Sequence, residues 1–216
     1  MEKKHIYLIS GLGSDERVFR YLDLDAYSVH CIQWIPPVHK ESLAAYAARL
    51  ISQIATPDPI LIGLSMGGMI AVEIGKLITT EKIILISSAK TASELPGYFG
   101  FFGKLRLHRY LPDFLLLRPN KVFYNLFGVY NRREKVILRD VLRDTDPKFA
   151  RWAMDAILEW DNTETRGTVI HIHGTNDKII PIRNIESADY IIKDAGHSMV
   201  FQQPDEITAL LKKIIG

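Results

Sequence analysis

A serine set between glycines is the feature of this 216-residue chain that most directly suggests chemistry. Residues 63–68 read Gly-Leu-Ser-Met-Gly-Gly, between an apolar run that predicts a strand at 60–64 and a pattern that predicts a helix at 67–78. Glycines allow a strand–turn–helix connection that is too tight for residues with a Cβ, and such a turn exposes the serine hydroxyl. We therefore predict that Ser65 is a nucleophile. The alternative is a glycine-rich helix start that only packs closely or binds an anion.

A serine hydroxyl attacks a carbonyl only when a base accepts its proton, so Ser65 needs a histidine nearby. We predict His197 as this base, because it lies in a loop after the last strand and catalytic groups collect at the carboxyl ends of such strands. His171 and His173, on a strand predicted at 168–173, are the alternatives. His171 in mid-strand is more typical of a packed core histidine, and His173 at the strand end could shape a turn.

The histidine in turn needs an acid that holds its tautomer and stabilises its charged form. Asp177, which follows the strand carrying His173, is the predicted acid. Asp194 is a rival, but it lies only three residues from His197, where a surface role is more typical. Asp155 and Asp161 are further rivals. The fold must therefore bring together three separate segments of the chain.

Two backbone amides are also needed to stabilise the negative charge that develops on the attacked oxygen. We predict the amide of Met66, which follows the nucleophile, and the amide of Leu12, in a glycine-rich turn after the first strand. The Gly-x-Gly of this turn could instead bind a dinucleotide, but the third glycine of that motif is missing because position 16 is Glu16. The sequence has no P-loop and no cluster with metal-ligand spacing, so we predict no cofactor and no metal.

Strands and helices alternate along the chain, which is typical of an α/β sheet. Further strands are predicted at 5–9, 27–35, 82–87 and 189–193, further helices at 42–54 and 204–215, and a short element at 182–186. Residues 90–164 break the alternation, because they have a helical pattern and hold 13 of the 21 aromatic residues. We predict a core formed by 1–89 and 165–216, and a helical cap insertion at 90–164. The aromatic residues of the cap either fill its own interior or face a substrate pocket.

With these motifs, the chain resembles the α/β-hydrolase superfamily over nearly its whole length. Within it the chain looks most like small capped bacterial serine esterases, the carboxylesterases similar to pimeloyl-acyl-carrier methyl ester esterase. The matching segments are residues 10–13, 63–68, 173–181 and 196–197. The resemblance implies an α/β-hydrolase fold, with a mostly parallel sheet of about six strands and helices on both faces. The site residues it implies are the nucleophile Ser65, the acid Asp177, the base His197 and the oxyanion donors Leu12 and Met66, in the chain order of that superfamily.

The chain departs from the usual pattern of this family at two places, and its serine motif leaves the substrate class open. Ser10 stands where many members have histidine, and only 20 residues separate Asp177 from His197, which predicts a trimmed helix between the last two strands. The same serine motif occurs in esterases, thioesterases, lactonases and carbon–carbon bond hydrolases. We predict hydrolysis of a carboxylic ester or thioester of a small, largely apolar molecule, with Gly11, Phe123 and Phe127 in substrate binding. The alternative is a ligand-binding protein that keeps the fold and turns over slowly or not at all.

Composition limits the partners that the chain is expected to have. A net charge of +2 gives no electrostatic indication of nucleic-acid binding, and one cysteine excludes an internal disulfide. The longest apolar stretch without charge has 14 residues and is too short to insert stably in a membrane. The apolar run at the N-terminus is too short for a secretory signal, so we expect a cytoplasmic location. Residues 90–131 carry six Lys and Arg against two acids. Such a stretch is most commonly solvated surface, but it could also attract an anionic substrate or an acidic carrier protein, which is a second candidate partner beside a small-molecule ester.

Overall fold

The fold is built on a six-stranded parallel sheet, described from a computed structural model that covers residues 3–99, 109, 112–113 and 117–216. The strands are β1 (His5–Ile9), β2 (Ser28–Cys31), β3 (Ile60–Leu64), β4 (Lys82–Ile86), β5 (Val169–Gly174) and β6 (Tyr190–Ile192). Their order across the sheet is β2-β1-β3-β4-β5-β6, and every neighbouring pair is parallel. The chain thus reverses its direction of travel across the sheet after β2, and β3 lies in the interior.

Helices cover both faces of this sheet. They are α1 (Leu43–Leu50), α2 (Met66–Leu77), α3 (Lys121–Phe127), α4 (Arg132–Asp144), α5 (Pro147–Leu158), α6 (Met199–Gln202) and α7 (Pro204–Ile215). Alternate residues of the strands point to opposite faces, so each face has its own hydrophobic core. One core joins the strands to α4, α6 and α7, and the other joins them to α1, α2 and α5. Strands buried on both sides explain the nearly unbroken apolar runs in the sequence.

The predicted α/β fold is correct, and the differences lie at element ends. The second strand is shorter than predicted, because Tyr46 exchanges hydrogen bonds with both the amide and the carbonyl of Ile35 at 2.9 and 2.8 Å, which draws the chain away from β1. The helix predicted at 42–54 ends as an α-helix at Leu50 and continues as a 3-10 turn. The segment between β5 and β6 contains a single 3-10 turn, Ile182–Asn184, in keeping with its short length.

Between β4 and β5 the described residues form helices, turns and irregular structure. Helix α4 packs on one face of the sheet and α5 on the other, so this segment straddles the edge where the strands end. The division into a core and a cap at 90–164 remains a prediction. Six of the aromatic and basic residues counted in this segment lie outside the described residues: Phe101, Phe102, Lys104, Arg106, Tyr110 and Phe114.

Candidate active site

Ser65 lies at the tight turn between β3 and α2. Its backbone has φ 54° and ψ −121°, a conformation that non-glycine residues rarely adopt and that costs about 1–3 kcal/mol. A Cβ on Gly67 would lie 2.1 Å from the Ile9 carbonyl oxygen, and one on Gly63 would lie 2.4 Å from the Gly67 carbonyl oxygen. The Ser88 hydroxyl also donates to the Ser65 carbonyl at 2.6 Å. The glycines therefore let the turn pack against β1 while the Ser65 side chain projects from the sheet.

Ser65, His197 and Asp177 form one hydrogen-bonded chain. The Ser65 Oγ lies 2.9 Å from His197 Nε2, and His197 Nδ1 lies 2.8 Å from Asp177 Oδ2. A carboxylate only accepts, so Nδ1 carries the imidazole proton and Nε2 is free to accept the proton of the Ser65 hydroxyl. The other Asp177 oxygen accepts from the amides of Ile179 and Ile180, both at 2.9 Å. The structure thus brings together the three side chains that the sequence placed in separate segments.

The environment of Asp177 keeps its carboxylate charged. Burial alone would raise the pKa of Asp177, but the electrostatic interaction with the neighbouring His197 and the hydrogen bond from its ring oppose this effect. His173 and the Ile180 amide act in the same direction, and the pKa of Asp177 falls below its ordinary value. A buried carboxylate that stays ionised can stabilise a protonated imidazole beside it.

The rival acids do not contact the imidazole. Asp194 is exposed, with φ 59°, and its amide donates to Thr175. Asp155 pairs with Arg109 at 2.7 Å, and Asp161 is exposed.

His171 and His173 are fully buried beneath the site. His173 Nε2 donates to the Ile180 carbonyl at 2.8 Å, so its Nδ1 accepts from His171 Nε2 at 3.1 Å. Burial is the main cause that lowers the pKa of His171 to about 3 and lowers that of His173. Both rings are therefore neutral, and His173 supports the loop that carries Asp177.

The two residues that carry the predicted oxyanion amides lie at the same cavity as Ser65. Met66 begins α2 and Leu12 lies in the turn after β1, and both residues line the cavity that Ser65 and His197 enter. Within the described part of the chain, neither amide donates to a protein acceptor. A Cβ on Gly11 would approach the Ser65 Cβ to 3.2 Å, so this glycine lets the turn pass close to the serine.

The cavity in front of Ser65 has a volume of about 340 Å³. Polar side chains on its wall are Ser65, His197 and Tyr98, whose hydroxyl donates to the Ile179 carbonyl at 2.8 Å. The apolar residues of the wall come mainly from α2, α5 and the loops around them: Leu12, Met66, Met69, Leu95, Phe99, Phe127, Met154, Ile157, Leu158, Ile179 and Ile180. The cavity suits a small apolar group next to the serine.

The predicted substrate-binding residues occupy three different places. Phe127 is on the cavity wall, with its ring edge-on to His197 at a centroid distance of 5.6 Å. Phe123 stacks on Phe127 at 4.3 Å and supports it from behind. Gly11 borders a smaller recess of about 30 Å³, which shares Ser65 and His197 with the main cavity. The sequence reasoning missed Met69 and Met154, because which side of a mostly buried helix meets a cavity depends on its packing.

In residues 3–99, 109, 112–113 and 117–216, no group of three or more His, Cys, Asp or Glu side chains could hold a metal ion. The same part of the chain contains no helix with the length and apolar character to cross a bilayer.

Comparison with known proteins gives a family and a fold. No curated protein sequence matches the chain at a significant level. The structure is similar to an esterase from Thermogutta terrifontis, at 20% identity and TM-score 0.73 over 99% of this chain and 90% of that one. It is also similar to an esterase from Exiguobacterium antarcticum, at 15% identity and TM-score 0.76 over 99% of this chain and 92% of that one. A bromoperoxidase from Bacillus anthracis is similar at 17% identity and TM-score 0.73, again over 99% of this chain and 92% of that one. The model of the alpha/beta hydrolase family matches residues 6–210, almost the entire chain. The chain therefore belongs to the alpha/beta hydrolase family.

Proposed function

We propose that this chain is a serine hydrolase that cleaves carboxylic esters or thioesters of small, largely apolar molecules through an acyl-serine intermediate. The observation that carries the proposal is the hydrogen-bonded chain Ser65–His197–Asp177, with distances of 2.9 and 2.8 Å, at the wall of an apolar cavity. The family supports hydrolysis in general, and two structural neighbours are esterases.

The proposed reaction has two matched steps. In the first, the Ser65 Oγ bonds to the substrate carbonyl carbon while its proton moves to His197 Nε2. The resulting oxyanion accepts hydrogen bonds from the Leu12 and Met66 amides, and the imidazolium then protonates the leaving alcohol or thiol as the bond to it breaks. In the second step, water attacks the acyl carbon while its proton moves to His197 Nε2. The bond between the acyl carbon and Ser65 Oγ then breaks, Oγ takes the proton back from His197, and the acid product leaves.

The cavity supports an apolar acyl or alcohol group. Its polar side chains are the reacting pair and Tyr98, whose hydroxyl already has an acceptor in the Ile179 carbonyl. A charged group placed against the remaining wall would lose its hydration without gaining a partner. Neutral substrates are therefore preferred over charged ones of equal size.

The first test is loss of activity on removal of the Ser65 hydroxyl. Ser65→Ala should lower kcat for a p-nitrophenyl ester by about 10⁴-fold or more, because the acyl intermediate cannot form. Ser52→Ala is the matched control, since Ser52 is exposed and its hydroxyl only bonds the Arg49 carbonyl, at 3.0 Å. Full activity in Ser65→Ala contradicts the proposal. Saturable binding of esters by the unmodified chain with no product release would favour the ligand-binding alternative.

The second test concerns the leaving group and its carrier. One acyl group should be compared as an oxygen ester, a thioester and a lactone, and also when attached to an acidic carrier protein. A higher kcat/KM for the carrier-bound acyl group, lost at high salt, would support the carrier as partner. Equal kcat/KM values for the free and carrier-bound forms would contradict that part of the proposal.

A further inference from the structure

The end of helix α3 holds the His197 loop on both sides of the histidine. After His197, the Ser198 amide donates to the Phe127 carbonyl at 3.1 Å. Before it, Gly196 lies against Gly128, the residue that ends α3 with φ 71°. The Phe127 ring also meets the imidazole edge-on. The position of His197 therefore depends on a contact between two segments far apart in sequence.

The Gln202 side chain joins these two segments. Its Oε1 accepts from the Gly196 amide at 2.9 Å, and its Nε2 donates to the Gly128 carbonyl. Gln202 ends the short helix α6, which begins two residues after His197, and it is not on the wall of the cavity at Ser65. One amide group thus satisfies a donor next to His197 and an acceptor at the end of α3.

The packing around this amide leaves little freedom. A Cβ on Gly128 would lie 2.8 Å from Gln202 Nε2 and 3.2 Å from the Gly196 Cα. A Cβ on Gly196 would lie 3.2 Å from the Gly128 Cα and 3.3 Å from the Gln202 side chain. The two backbones are in contact through their glycines, and the Gln202 amide bridges them.

We propose that Gln202 is a positioning residue for His197, a role that rests on the proposed serine hydrolase function. The imidazole must keep one nitrogen 2.9 Å from Ser65 Oγ and the other 2.8 Å from Asp177 Oδ2. Rotation of the backbone at Gly196 would break both distances together, and the Gln202 bond to the Gly196 amide opposes that rotation. Because His197 transfers the proton in both reaction steps, its displacement slows acylation and deacylation alike while substrate binding is unaffected.

The test compares three variants with the unmodified chain. Gln202→Met keeps the side-chain length and removes both hydrogen bonds, whereas Gln202→Glu keeps the acceptor for the Gly196 amide. Gln203→Met is the matched control, because the neighbouring Gln203 donates to the Lys193 carbonyl, at 3.2 Å, and does not bond the residues beside His197. Steady-state hydrolysis of a p-nitrophenyl ester gives kcat and KM, and circular dichroism gives the folded fraction at the assay temperature.

Gln202→Met should lower kcat about 10- to 100-fold with KM within about twofold, since displacement of a catalytic group by about 1 Å can cost a factor of this size. Gln202→Glu should retain more kcat than Gln202→Met, and Gln203→Met should match the unmodified chain. An equal kcat in Gln202→Met and Gln203→Met overturns the proposal, as does a loss that only follows the folded fraction. If Gln202→Met does not fold, the test depends on Gln202→Glu. A kcat of Gln202→Glu at or above that of the unmodified chain supports the role of the Gln202 acceptor. A kcat of Gln202→Glu that is 100-fold lower overturns the proposal.

A readout without substrate separates this proposal from the proposed function. The proton between His197 Nδ1 and Asp177 should give a downfield NMR resonance in the unmodified chain and in Gln203→Met, and it should broaden or disappear in folded Gln202→Met. Persistence of the resonance in Gln202→Met overturns the positioning role even if the chain is an active esterase. Loss of the resonance in a chain that hydrolyses no ester supports the positioning of His197 and overturns only the hydrolase function.

Discussion

Replacement of the buried His171 by glutamine should make the folded chain less sensitive to acid. His171 is fully buried on β5, and burial is the first of the causes that lower its pKa to about 3. Its Nε2 donates to His173 Nδ1 at 3.1 Å. A glutamine amide can reach the same acceptor but takes up no proton in this pH range. The substitution therefore removes a titrating group while keeping its donor.

The sign and size of the effect follow from the difference between the folded and unfolded states. Between pH 6.5 and about 3 the unfolded chain binds a proton at His171 that the folded chain excludes, so the free energy of unfolding falls as the pH is lowered. Each pH unit well inside this window costs about 1.4 kcal/mol. Over the range from pH 6 to 4.5, His171 alone should cost about 2 kcal/mol.

The assay is urea unfolding of each variant between pH 6 and 4.5. His171→Gln should start less stable by about 1–3 kcal/mol, as expected for a core substitution, and should then lose about 2 kcal/mol less than the unmodified chain on acidification. His39→Gln, at an exposed histidine, should run parallel to the unmodified chain. Parallel curves for His171→Gln and the unmodified chain would refute the assignment of a neutral, buried His171.

Three further predictions concern the site and its turn. Asp177→Asn should keep the fold and lower the steady-state kcat by about 10⁴-fold, because the asparagine amide group donates to His197 Nδ1 and so favours the wrong tautomer of the ring. A fall in kcat of less than tenfold contradicts the role of Asp177. Gly67→Ala should abolish folding or lower the melting temperature strongly, since its Cβ would lie 2.1 Å from the Ile9 carbonyl oxygen. Gly97→Ala is the control and should leave the melting temperature unchanged, because no atom lies within 4 Å of its Cβ. Equal melting temperatures for the two variants would refute this reasoning. In a series of p-nitrophenyl esters, kcat/KM should rise about fourfold with each added acyl methylene until the cavity is filled. The factor follows from the transfer free energy of about 0.8 kcal/mol gained when a methylene is buried. A kcat/KM that does not change along the series contradicts an apolar acyl site.

The parts that sequence reasoning could predict are those decided by local chemistry. The glycines around Ser65 indicate a tight turn wherever the rest of the chain lies, because their lack of a Cβ is a property of the segment itself. The buried strands are equally local, since a short unbroken apolar run such as Ile60–Leu64, followed by a glycine-rich turn, is typical of a strand buried on both faces. The family resemblance likewise rests on short local motifs, among them residues 63–68.

The parts that it could not predict depend on contacts between distant segments. Beyond the end of β2, both backbone groups of Ile35 bond to Tyr46 of helix α1 and not to a neighbouring strand. Met69 and Met154 line one cavity because α2 and α5 pack on the same face of the sheet. Gln202 has no signal of its own in the sequence, and its position becomes informative only when Gly128 is seen beside it.

The position of a covalent adduct tests most directly whether Ser65 is the nucleophile. The unmodified chain should be treated with a fluorophosphonate, digested and mapped by mass spectrometry, with Ser65→Ala and Ser52→Ala treated in parallel. We predict a single phosphonyl group on Ser65, present in Ser52→Ala and absent in Ser65→Ala. An active esterase that is modified at another residue, or that hydrolyses esters without any adduct at Ser65, would contradict the nucleophile assignment.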